Sequence, residues 1–150
     1  MAKGIEDTAF YRWHRLVALN EVGGDPDLLD DASPEAMHAW AIHQQQNWPL
    51  GMTTLSTHDT KRSEDVRARL LAVAGDAESW NRCSEAFAEQ AQRRRVDPPT
   101  AHLIWQTLVG VGEISEERLK GYLEKAMREA KQLTSWLDPD PDYELSLIHI

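Results

Sequence analysis

Thr54-Leu-Ser-Thr-His-Asp-Thr-Lys-Arg-Ser-Glu-Asp-Val-Arg67 decides the reading of this chain. Met52 to Ser56 has the composition of a short strand. Ser63 is a helix N-cap, and Glu64 and Asp65 fall in the first turn, where the helix dipole favours acids. Between the two elements sit His58, Asp59, Lys61 and Arg62. Polar residues at the C-terminal end of a strand that feeds a helix occupy the catalytic rim of a β/α barrel. A His-Asp pair at such a rim suits sugar chemistry. The carboxylate accepts hydrogen bonds from ring hydroxyls and stabilises a positively charged, oxocarbenium-like transition state.

Ser56-Thr-His-Asp59 resembles the fourth conserved region of the α-amylase superfamily, glycoside hydrolase family 13. The longer string through Arg67 is similar to its maltooligosyl trehalose synthase branch. Met1-Ala-Lys-Gly-Ile-Glu-Asp-Thr-Ala-Phe-Tyr-Arg12 resembles that branch's marker, and Leu19-Asn-Glu-Val-Gly-Gly-Asp-Pro26 follows as expected. Lys125 to Lys131 and Thr134-Ser-Trp136 resemble its later helix. The likeness covers almost all of residues 1 to 144, with Trp13 standing where a Tyr is expected.

The resemblance implies a mostly α piece of a (β/α)8 TIM barrel, contributing about one strand, the seventh, plus a helical insertion. Residues 1–75 would belong to the catalytic barrel and 76–144 to a helical subdomain. It implies that Asp59 is the transition-state-stabilising carboxylate. His58, Lys3, Glu6, Arg12, Trp13, Lys61 and Arg62 would contact sugar, with Trp13 stacking on a ring. The implied reaction converts the reducing-end α-1,4 glucosyl link of a maltooligosaccharide into an α,α-1,1 link, with no metal or organic cofactor. Another α-glucan-active enzyme of the superfamily and a non-catalytic helical binding module are the competing readings.

Retaining glycoside transfer needs two carboxyls about 5 Å apart in opposite roles. No strand ending in Arg-x-Asp, where the family nucleophile sits, and no acid/base strand is recognisable here. The chain therefore reads as an internal fragment, inactive alone and dependent on the remainder of the barrel. Residues 145–150, Leu-Ser-Leu-Ile-His-Ile, depart from the family pattern and read as the translation of a transposon adapter, a non-native tail.

Composition bounds the alternatives. A chain of 150 residues, 41% hydrophobic and 27% charged, is about one ordinary globular domain. A net charge of -9 disfavours a nucleic-acid partner, which wants a basic face. The short cluster Gln92-Arg-Arg-Arg95 reads as a solvated helix end. No apolar run is long enough for a membrane span and no leader is visible, so a cytoplasmic location is expected. Cys83 has no partner for an internal disulfide; it falls in a helical stripe with Trp80, Phe87 and Ala91 and reads as a buried, inert thiol.

Helical signals dominate. A short helix is expected around Phe10 to Leu19. Ser33-Pro34 opens a helix to about Trp48, stopped by Pro49 and Gly51. Ser63 opens another to Ala74, Asp76 caps the next to about Arg95, and Pro98 starts a fourth with Ala101, Ile104, Trp105 and Leu108 on its apolar side. Ser115 opens the longest, its stripe running from Leu119 to Trp136, with Asp138-Pro-Asp-Pro141 ending it. His38 and His43 fall five residues apart and do not share a helix face, which argues against metal ligation. His14 and His102 read as structural. Most of the six tryptophans are expected in the core.

Overall fold

The computed structural model describes residues 2–24 and 32–148; the side chains of Ala2, Lys3 and Ile148 lie outside that description. Among the described residues the order is seven α-helices, α1 (Ala2–Phe10), α2 (Pro34–Asn47), α3 (Glu64–Ala74), α4 (Ala77–Arg93), α5 (Pro98–Val111), α6 (Glu116–Ala130) and α7 (Pro141–Ile148). The 3-10 turns Val17–Leu19 and His58–Thr60 interrupt the connections. The described residues contain no strand, so the mostly helical class holds while the expected strand does not form. A strand's backbone is satisfied only by neighbouring strands, and Met52 to Ser56 meets none here. The spacing of Gly23-Gly24-Asp25-Pro26 predicts a turn; Asp25 and Pro26 lie outside the described residues, and the chain does turn at Gly23 (φ 69), with Gly24 N–H donating to Glu21 O at 2.9 Å.

Four starts follow from local chemistry. Ser33, Asp76, Asp97 and Ser115 each accept a hydrogen bond from a backbone N–H in the first turn of the helix that follows, with proline just inside α2 and α5. Ser63 sits at the expected cap of α3 without a side-chain bond.

The core forms where α5 is packed by α3 and α4, with α6, itself packed on α1 and α7, adding side chains to the same cluster. Leu70, Leu103 and Ile104 are fully enclosed, with Ala101, Leu123, Ala126 and Met127 beside them. Each large aliphatic side chain contributes about 1.5–3 kcal/mol by leaving water. The α3–α5 crossing is close because Gly110 has no side chain. A Cβ there would lie 2.7 Å from Val66 Cγ1 and 3.3 Å from Leu70 Cγ. Arg69 then donates to Gly110 O at 2.6 Å, covering a terminal carbonyl of α5.

Tertiary bonds moved three boundaries. The first helix ends at Phe10 rather than beginning there. Residues 14–17 are held instead by Gln106, fully buried on α5, which accepts from Val17 N–H at 2.8 Å and donates to His14 O at 2.6 Å. Helix α6 ends at Ala130, not Trp136, with Lys131 in the left-handed conformation. Thr134 and Ser135 satisfy the following turn: Thr134 Oγ1 donates to Glu144 at 2.6 Å and accepts from Asp140 N–H at 3.0 Å. Asp140-Pro141 does not merely end a helix. Asp140 accepts from Tyr143 N–H at 2.9 Å and so starts α7. The residues read as a tail, 145 to 148, continue α7, and Leu147 is buried against the core.

Two other expectations are corrected. Cys83 is exposed, because the inward stripe of α4 runs through half-buried Trp80, Ser84 and Phe87 to buried Ala91 and leaves residue 83 on its shoulder. Trp80 and Trp105 do pack edge to face, 4.4 Å between centroids. Trp40, Trp48 and Trp136 are exposed instead. Helix α2 buries nothing among the described residues, and the segment after it leaves Leu50 at 94% and Met52 at 99% of full exposure. His102 stacks on Trp105, and buried His14 bonds Tyr11 O through Nε2 at 2.6 Å, as structural histidines.

Burial holds the His14 pKa below its ordinary value, opposed by its bond to the Tyr11 carbonyl. The folded chain therefore disfavours the protonated ring. The resulting stability is present above the ordinary histidine value and is lost as pH falls through that value towards the lower folded one. The urea midpoint followed by far-UV circular dichroism should fall between pH 7.5 and 5, and His14→Gln should flatten that part of the profile. An unchanged slope in His14→Gln would assign the acid sensitivity to other groups.

Candidate functional site

The 3-10 turn carrying His58 and Asp59 is built by its own hydroxyls. Thr57 Oγ1 accepts from Asp59 N–H at 3.2 Å and Thr60 N–H at 3.3 Å. Thr60 Oγ1 accepts in return from Thr57 N–H at 3.2 Å, a reciprocal capping box. Thr60 is buried, and its hydroxyl also lies 2.7 Å from Thr57 O and 2.9 Å from Arg62 O. Lys61 closes the turn in the left-handed conformation, φ 59. That reversal turns its ammonium back towards Asp7 of α1, 2.6 Å away, and Asp59, 3.7 Å away. One cation thus lies between two carboxylates from separate segments.

A cleft of about 340 Å³ opens beside the turn, walled by Tyr11, His58, Lys61, Arg62, Tyr122 and Lys125. Three cationic side chains and two phenols make it rich in hydrogen-bond donors. Arg62 is only 9% exposed. Its guanidinium donates to Tyr122 Oη at 2.6 Å and to Lys61 O at 2.9 Å, and lies 5.2 Å from the Tyr122 ring centroid. Its geometry is that of an anchor for the turn as well as a wall. Burial, reinforced by neighbouring Tyr122, pushes the Tyr11 hydroxyl pKa up, so it stays a neutral donor.

The structure thus gathers His58, Lys61 and Arg62 in one cleft, with Asp59 next to two of its wall residues but outside the lining. The α1 candidates go elsewhere. Trp13 and Arg12 line a separate open groove of about 720 Å³ with Ile5, Thr8 and Lys131. Arg12 donates to Ala130 O at 2.6 Å and Lys131 O at 3.2 Å, covering the C-terminal carbonyls of α6. Glu6 accepts from Gly23 N–H at 3.0 Å. Lys3 has its backbone in α1; its side chain lies outside the described residues. Sequence reasoning missed Tyr11, Tyr122, Lys125 and Asp7. Asp7 and Tyr11 sit inside the quoted marker, whereas Tyr122 read as part of an apolar stripe. The tripeptide Arg95-Val96-Asp97 is a turn between α4 and α5, with Asp97 spent on capping, so it offers no strand-end nucleophile.

Among the described residues no group of three His, Cys, Asp or Glu could hold a metal ion, and no helix is long and apolar enough to cross a membrane.

No protein-family model matches the chain. Individual proteins do. The chain is 43% identical over 152 aligned positions to a curated protein of Mycobacterium tuberculosis named for maltooligosyl trehalose synthase, the alignment covering 95% of this chain and 19% of that protein. The solved maltooligosyltrehalose synthase of Arthrobacter ramosus superposes with a TM-score of 0.84 at 46% identity, over 99% of this chain and 19% of that one. A Sulfolobus tokodaii structure, described as a hypothetical maltooligosyl trehalose synthase, superposes with a TM-score of 0.86 at 32% identity, over 99% and 21%. The chain spans about a fifth of the length of these relatives.

Tyr122→Phe should test the anchoring of the turn. It removes the shortest acceptor of a buried guanidinium, and a bond to a charged group contributes about 1.5–3 kcal/mol. The urea unfolding free energy should fall by about that amount with helical content unchanged; a loss below about 0.5 kcal/mol would mean that Arg62 is anchored without Tyr122.

Proposed function

We propose that this chain, which corresponds in sequence and fold to a segment of maltooligosyl trehalose synthases, is part of an enzyme that isomerises the reducing end of a maltooligosaccharide. The parent breaks the terminal α-1,4 bond, retains the glucose, and rejoins it through an α,α-1,1 link. The observation that carries this reading is the 46% identity and 0.84 TM-score held across 99% of the chain, including the turn with His58 and Asp59.

In this reading Asp59 faces developing positive charge. Its carboxylate is acceptor-only when ionised, so it gains most when ring hydroxyls bond to it in a cationic transition state. Lys61, between Asp7 and Asp59, fixes the carboxylate and offers donors to a glucose that must be held and turned. His58, Arg62 and the Tyr11 hydroxyl supply further donors along the cleft. Trp13, with Arg12 in the neighbouring groove, is the stacking surface for a sugar ring, and Glu6 and Lys3, both in the α1 sequence, are the further sugar contacts in this reading. A glycosyl intermediate must be kept from water, or the enzyme becomes a hydrolase. The exposed Leu50, Met52 and Leu55 are covered by the remainder of the parent barrel, which also supplies the nucleophile and the acid/base. Residues 1–75 would be barrel, 76–144 a helical subdomain, and 145–150 non-native. Neither nucleic acid nor membrane is a partner; the reaction takes place in the cytoplasm and needs no cofactor.

The test uses a full-length enzyme containing this segment, with maltopentaose as substrate, following loss of reducing ends and formation of trehalosyl ends. Asp59→Asn should leave the fold intact and lower kcat about 10²–10³-fold. His58→Ala should cost less and raise KM as well, as expected for a contact made equally in ground and transition states. The 150-residue chain alone should convert no substrate. Near-normal turnover by a folded Asp59→Asn enzyme would sink the assignment. Release of glucose without trehalosyl product by the unaltered parent would point to an amylase-type activity.

A further inference from the structure

Arg67 lies one turn into α3, outside the cleft, and its guanidinium reaches three separate pieces of chain. Nε donates to Ala18 O at 3.1 Å, at the 3-10 turn Val17–Leu19. Nη1 donates to Leu55 O at 2.6 Å, three residues before His58. The same Nη1 lies 2.7 Å from Glu21 Oε2. The side chain is 17% exposed, so these bonds are largely shielded.

The segment it grips has little else to hold it. Residues 52–56 make no strand pairing, and Leu55 itself is exposed. The turn's capping box fixes its internal shape but not its place on the scaffold. Lys61 and Arg62 fasten its C-terminal side to α1 and α6. On the N-terminal side the Leu55 carbonyl is fastened by Arg67, and the other end of that clasp is Ala18, which is buried in the core. A planar guanidinium suits this task because its donors point in fixed, different directions; an ammonium is a point charge on a flexible stem.

We propose that Arg67 is a positioning residue that sets where the His58-Asp59 turn stands over the cleft. It touches no substrate and acts through the Leu55 carbonyl. As a device for catalysis this rests on the isomerase reading above; as a device for holding the turn it does not.

The experiment has two arms in the full-length enzyme: kinetics with maltopentaose, and amide hydrogen exchange of the peptides covering residues 52–61. Arg67→Met should lower kcat about 10²-fold with KM little changed, as expected for a reacting constellation displaced by about 1 Å. Exchange over 52–61 should accelerate while α5 stays protected. Arg67→Lys, which keeps the charge but not the fork, should lie between Met and the natural residue. Glu21→Gln, which removes the ion pair but leaves both carbonyl bonds, should retain kcat within about 2-fold. Should Arg67→Met fail to fold, Arg67→Lys carries the same two readouts. A lower melting temperature with unchanged kcat and unchanged exchange over 52–61 would overturn the proposal and leave Arg67 an ordinary stabilising residue. A parent enzyme without isomerising activity would defeat the functional reading, and the exchange arm would still decide whether Arg67 holds the turn.

Discussion

The side-chain amide of Gln106 is the contact from which the rest of the arrangement follows. A buried amide with both ends unpaired would cost several kcal/mol. Here the oxygen takes the Val17 N–H and the nitrogen gives to the His14 carbonyl, so both ends are used. That pair of bonds fixes a non-helical stretch against the middle of α5. It places Tyr11, Val17 and Ala18 in the core. It also presents the Ala18 carbonyl to Arg67, and through Arg67 the scaffold reaches Leu55 and the turn beyond. A core helix and a surface turn separated by almost fifty residues of sequence are joined by four hydrogen bonds.

The second constraint is the Gly110 crossing. By letting α3 lie close against α5, it sets the base from which Arg62, Arg67 and Arg69 all extend. Each of these arginines donates to a backbone carbonyl in another element or in its own turn. The polar scaffolding around the site is therefore mostly arginine-to-carbonyl. That geometry is insensitive to the ionisation of acids, because neither donor nor acceptor titrates near neutral pH.

What was legible in the sequence was what is decided locally. Ser33, Asp76, Asp97 and Ser115 are caps whose partners lie three residues away, so the starts of four helices could be read directly. The end of α1, the end of α6 and the existence of α7 were set by Gln106 and by the Thr134, Asp140 and Glu144 network, whose partners are distant or compete for the same backbone. Of the candidate site, His58, Lys61 and Arg62 share a cleft because they are consecutive or nearly so. Arg12 shares a motif with Tyr11, and Trp13 follows it directly, but both leave the Tyr11 cleft, because α1 ends at Phe10 and the chain turns there towards a separate groove. Tyr122 was hidden by helical periodicity: an amphipathic ring at a stripe position reads as core until its hydroxyl is seen to meet a guanidinium. The strand was over-read, since its composition was right and its neighbours were not in this chain.

Lys61 carries a consequence of another kind. It occupies the left-handed region, φ 59, where an ordinary side chain stands at a disadvantage of order 1 kcal/mol to glycine. Glycine there would relax the backbone and would also delete the ammonium that joins Asp7 to Asp59. Backbone geometry and side-chain pairing make opposite demands on one residue: the left-handed turn favours glycine, and the two carboxylates brought together from α1 and the turn favour a cation.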